Sequence, residues 1–184
     1  MDYFKNKKGQ FGIILFFLIL FTILVAAFIG AMAVGIIDFA SDTITPNMTD
    51  LGVVGDSNLS EYATYTFGTV DTIVQAFPWL LALCYGLALV FSIVFVVGYT
   101  YNPHPVFIGF YIAMMLLLIF GSIIMSNMYQ DIYDRTDEIA TRLQEQTMTS
   151  YLILYSPFIL TLIAVVAGIL LFARTQADAG GFEP

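Results

Sequence analysis

His104 is the one histidine in the chain and Cys84 the one cysteine, so a nucleophile-base pair of those types would need both, and they sit toward opposite ends of a hairpin between two apolar runs. A zinc site takes three or four suitable ligands, and no such set is present. His104 therefore reads as a polar turn residue and Cys84 as a small buried packing residue. The acids Asp131, Asp134, Asp137 and Glu138 are the remaining cation ligands to weigh. Their spacing lacks the glycine of an EF-hand, and they read as a solvated helix face. Tyr85, Ser92 and Tyr99 recur by sevens and so share a helical face, the nearest approach to a polar stripe that a pore would need. Catalytic residues, metal ligands and cofactors are all expected to be none.

The elements that would position these groups are set by composition. Of 184 residues, 59% are hydrophobic and 11% charged, against about a quarter charged in soluble domains. Four runs are long enough to cross a hydrocarbon core, which takes about 20 helical residues: 11–37, 79–99, 106–126 and 151–173. None of them holds Asp, Glu, Lys, Arg or His. The expected fold is all-α, a polytopic membrane protein with four transmembrane helices. Ion-coupled transport is disfavoured, since it places ionisable groups inside the membrane and uses helices broken by Gly or Pro at mid-depth.

Lys5, Lys7 and Lys8 precede the first run and Arg174 follows the last, so the positive-inside tendency places both termini in the cytoplasm or interior. Residues 38–77 and 127–150 are then outside. The first segment carries Asp38, Asp42, Asp50, Asp56, Glu61 and Asp71 with no Lys or Arg, and the second five acids against Arg135 and Arg142. Such a surface does not favour nucleic acid; charged partners should be cationic.

Within 38–77, Pro46, Asn47, Gly52 and Gly55 predict a loop through residue 56. Asp56-Ser57 can cap a helix that runs to Phe77. Pro78 should bend that helix or start a new one, and Trp79 suits the membrane interface. In "QDIYDRTDEIATRLQEQ", residues 130–146, the positions Ile132, Thr136, Ile139, Ala140, Leu143 and Thr147 recur at helical spacing, with Asp131/Arg135 and Glu138/Arg142 as acid-before-base pairs four apart. No Gly or Pro interrupts 122–154, so the third span should continue outward as one helix. Extensions of the two middle spans are thus expected to form an extracytoplasmic helical projection. Residues 174–184 are left as a cytoplasmic tail.

Partner contacts are expected on the stripe of Ile132, Ile139 and Leu143, and on Ala26, Gly30 and Gly35, small residues that permit close helix approach in lipid. Asn47-Met48-Thr49 and Asn58-Leu59-Ser60 match the N-glycosylation acceptor pattern.

The N-terminal "KNKKGQFGIILFFLILF" sets Lys7-Lys8-Gly9-Gln10 before an unbroken apolar run. This resembles the archaeal class III signal segment of type IV pilin-like proteins, which a dedicated peptidase cuts after the glycine. The resemblance implies an archaeal or archaeal-virus source. It covers only the N-terminal segment: pilins have one apolar helix and a β-rich head, so no whole-chain family follows. The first run is too long for a removable secretory segment and reads as a retained anchor. Two functional readings remain. One is a structural or assembly subunit of an envelope, virion or surface appendage, with the lipid bilayer, other membrane or envelope proteins, or copies of itself as partners. The other is a homo-oligomeric pore or channel.

Overall fold

The computed structural model describes residues 3–99 and 106–179. Along them run α1 (Tyr3–Leu51), β1 (Val53–Val54), β2 (Ser57–Asn58), α2 (Leu59–Tyr99), α3 (Val106–Tyr133), α4 (Glu138–Glu145), α5 (Thr147–Leu154) and α6 (Ser156–Ala179). The fold is all-helical apart from the short β-hairpin. Four helices contain segments long and apolar enough to cross a membrane: Phe11–Leu51, Leu59–Val94, Ile108–Tyr133 and Ser156–Ala173. His104 and the turn expected around it lie outside the described residues.

Two helices run further than expected. Residues 38–51 continue α1, which has 49 residues and passes through Pro46. At 1.5 Å per residue it is roughly 74 Å long, more than twice a hydrocarbon core of about 30 Å. α2, with 41 residues, likewise passes through Pro78 without a new helix starting. The two helices run antiparallel beside each other, and each continues through its local breaker. Side chains also support the exposed backbone: Thr43 donates to the Phe39 carbonyl, Asn47 to Thr43 and Thr49 to Thr45.

The glycines act where expected. Gly52 ends α1 with φ 60°, and Gly55 takes φ 62° at the first central position of the two-residue turn joining β1 to β2, the left-handed conformation such turns require. The cap of α2 is Asn58 rather than Asp56 or Ser57. Its Oδ1 accepts the Glu61 N–H at 3.3 Å and its Nδ2 faces Glu61 Oε2 at 3.5 Å, a reciprocal box that satisfies an otherwise orphaned donor.

The third span does not continue as one helix to residue 150. α3 stops at Tyr133, and α4 begins at Glu138 after four intervening residues, the last of them Asp137. Asp137 is the N-cap in extended conformation, its carboxylate accepting the Ala140 N–H at 2.8 Å. Removing that acceptor with Asp137→Ala is expected to cost about 1 kcal/mol. Hydrogen exchange of the α4 amides should then quicken roughly fivefold, with α3 unchanged.

α1 is the centre of the core. Ile13, Phe16, Phe17, Leu20, Leu24, Ala27, Ala31 and Val34 form one buried stripe, the three-or-four spacing of a helix face. Around it stand Tyr85 and Leu89 of α2, Tyr111, Leu118 and Tyr129 of α3, and Leu160, Ala164 and Leu171 of α6. The opposite faces are apolar too: Leu18, Leu87, Leu117, Phe158 and Ile169 are exposed. A helix bundle apolar both inside and outside is suited to lipid as its solvent.

Candidate functional site

The hydroxyl-bearing and amide side chains near the short helices α4 and α5 tie the bundle together. Tyr129 Oη and Ser150 Oγ are 2.8 Å apart, and Ser150 also donates to the Leu143 carbonyl at 2.6 Å. Ser126 donates to the Leu154 carbonyl at 2.7 Å, Thr149 to the Pro78 carbonyl at 2.9 Å, and Gln146 Nε2 to the Ala31 carbonyl at 3.4 Å. Burial of polar groups is costly unless they are paired, so these bonds fix α4 and α5 against α1, α2 and α3. Among the described residues, the shielded polar side-chain atoms without a hydrogen-bond partner are Tyr85 Oη, Gln146 Oε1 and Ser156 Oγ.

Beside this layer is an acidic cleft of about 340 Å³ between α1, α2 and α4. Its walls include Asp38, Asp42, Gln75, Arg142, Glu145 and Gln146. Arg142 does not pair with Glu138 as the sequence spacing implied. It reaches across to Asp38 at 3.3 Å and to Asp42, and along its own helix to Glu145 at 3.3 Å. Desolvation pulls the guanidinium pKa down, but the three carboxylates outweigh it and hold the value above the ordinary one. The guanidinium is therefore charged, and three carboxylates face one cation.

Above the cleft stands a two-helix arm. From Asp38 to Leu51 α1 rises about 20 Å at 1.5 Å per residue, paired with the first half of α2 and closed by the β-hairpin. Between positions 42 and 73, Ala63 is the one buried residue among the described side chains. Large apolar groups lie open along it, including Leu51, Val53, Val54, Tyr62, Tyr65 and Ile73.

The residues singled out by sequence fall differently. Leu143 is fully buried, while Ile132 and Ile139 are partly buried against the core. The break after Tyr133 folds α4 back onto α1, so this stripe packs against the chain's own core. Gly30 and Gly35 also serve internal packing. A Cβ on Gly30 would stand 2.9 Å from Leu81 Cδ1, and one on Gly35 3.2 Å from Leu143 Cδ2. Ala26 is exposed. Asn47 lies within α1 and Asn58 at the junction of β2 and α2. Cys84 is exposed rather than buried. Tyr85 and Ser92 are buried within the protein. The α1 half of the arm has no helical signal in the sequence, since Pro46, Asn47, Gly52 and Gly55 predict a loop there. No group of three or more His, Cys, Asp or Glu among the described residues could hold a metal ion. Compared with protein-family models, curated proteins and solved structures, the chain finds no match.

Proposed function

We propose that this chain is a non-enzymatic structural or assembly subunit of a larger membrane-associated complex, such as an envelope, virion or surface appendage. Its spans are the anchor and its two-helix arm is the docking element. The observation that carries this reading is the arm's exposure: a helix pair that fully buries one residue among its described side chains over its outer length has little packing to hold it. A partner laid along its open apolar groups supplies the missing burial. The arm bears Asp42, Asp50, Asp56 and Glu61 and no basic residue, so the matching surface is cationic and apolar. An even number of crossings leaves both termini on one side, and the basic residues near them assign that side to the cytoplasm or virion interior. The arm then stands outside.

The alternative, a homo-oligomeric pore, needs polar groups facing neighbouring copies. The burial of Tyr85 and Ser92 within the protomer favours the subunit reading over it.

The test is native mass spectrometry of the wild type and of a Tyr62→Asp/Tyr65→Asp variant, each gently extracted from its own membrane. Both tyrosines are open to solvent, so insertion and thermal stability should be kept. Stoichiometric co-purification with other proteins should be present in the wild type and lost in the variant. Equal co-purification by both would remove the arm from the account, and a homo-oligomer that conducts ions in liposomes would replace it with the pore.

A further inference from the structure

Trp79, Tyr151 and Tyr155 rim a groove of about 560 Å³ between α2, α5 and α6, within the range of small-molecule sites, about 300–1,000 Å³. The three side chains are 61%, 54% and 57% exposed, and the two tyrosine rings stack with centres 5.9 Å apart. Thr149 donates to the Pro78 carbonyl at 2.9 Å, which holds the start of the fourth apolar run beside Trp79, the start of the second. The rim therefore stands where both runs enter the membrane, the depth at which Trp and Tyr meet lipid headgroups. Leu83 and Ile159, each one turn further in, continue the wall, and no lining side chain is charged. Apolar surface at that depth is covered by lipid rather than water.

The rim offers two kinds of contact to a headgroup. The indole N–H of Trp79 and the hydroxyls of Tyr151 and Tyr155 are donors, suited to the oxygens of a phosphodiester. The aromatic rings attract a cation. With no carboxylate in the lining, that cation is recognised by the rings alone, which suits a quaternary ammonium because it has no N–H to leave unpaired. The acidic segments 38–77 and 127–150 adjoin the same membrane boundary and disfavour an anionic lipid there. We infer that the groove between α2, α5 and α6 is a specific site for a phosphocholine lipid. Its trimethylammonium lies against the aromatic rim, its phosphate accepts from the indole and phenol donors, and an acyl chain follows Leu83 and Ile159 into the membrane.

Trp79 is the single tryptophan of the chain, so its fluorescence reads this groove. The full chain is reconstituted into vesicles of brominated phosphatidylcholine diluted with unbrominated phosphatidylglycerol or phosphatidylethanolamine, and quenching is followed against mole fraction. Quenching should stay above the statistical line with either diluent, a preference of about fivefold for the choline headgroup. Tyr151→Leu/Tyr155→Leu keeps the reporter and the apolar wall, and should return quenching to that line. Both tyrosines are more than half exposed, so the thermal unfolding of this variant should match the wild type. In a Trp79→Phe background, Phe120→Trp reports from the exposed face of α3, where Phe120 is 65% exposed, and should show no preference. Wild-type quenching that follows mole fraction, a preference kept by the double tyrosine variant, or an equal preference reported from position 120 would overturn the inference. So would a Trp79 that no brominated lipid quenches, since a second copy of the chain would then cover the groove.

Discussion

Replacing Leu143 by aspartate is expected to remove more than about 4 kcal/mol of stability and to leave the chain inserted but without its native helix packing. Leu143 is fully buried, and its side chain fills the space left by the missing Cβ of Gly35. Losing a buried leucine costs about 2–5 kcal/mol by itself. The carboxylate adds a charge with no donor in an apolar contact, and its neighbour across the interface is a helix backbone. Graded SDS in mixed micelles, followed by near-ultraviolet circular dichroism, should show the variant unfolded where the wild type is intact. Glu138→Gln, an exposed change on the same helix, should move the midpoint by no more than about 0.5 kcal/mol. If Leu143→Asp kept the wild-type midpoint and instead lost a binding partner, α4 would be an outward surface and the packing described above would be wrong.

That result bears on what the sequence could and could not show. The four apolar stretches were legible because lipid imposes a simple rule of length and charge, and the turn at 52–58 was legible because Gly52 and Gly55 occupy conformations that other residues rarely adopt. The helical stripe through Ile132, Ile139 and Leu143 was also visible. Its destination was not, since periodicity says which residues share a face and not what that face meets. The decisive signal was Asp137: an aspartate followed by Glu138-Ile139-Ala140 is a helix start. Its place inside an apparently continuous pattern hid it. Pro46 misled in the opposite direction. A proline in a helix costs about 3 kcal/mol locally, yet α1 continues past it to Leu51. The Arg142 cluster was least accessible, because Asp38 and Asp42 lie some hundred positions away in sequence, and their pairing is a product of the α4 fold-back.

Three helices meet on one buried ring, and Tyr111→Ala is expected to cost about 3–5 kcal/mol. Tyr111 packs against Phe17 with ring centres 5.0 Å apart and against Phe172 at 5.5 Å, so one side chain joins α1, α3 and α6. Its hydroxyl donates to the Ala164 carbonyl at 2.6 Å, a bond between helices in a region that water does not reach. Gly168 makes the approach possible, since a Cβ there would stand 3.1 Å from the ring. The two contributions can be separated. Tyr111→Phe keeps the ring and should cost about 1 kcal/mol, the usual size of an interhelical hydrogen bond in a membrane, whereas the alanine variant also leaves a cavity. The SDS midpoint should therefore fall slightly for phenylalanine and steeply for alanine. Equal losses would mean that the hydroxyl, and not the aromatic packing, is what Tyr111 contributes, through its bond from α3 to α6. A steep loss for alanine alone makes the ring the fastener of the helix that carries the arm: α1 is continuous from the Phe17 contact to the tip at Leu51, so loosening its lower half would also free the arm's direction.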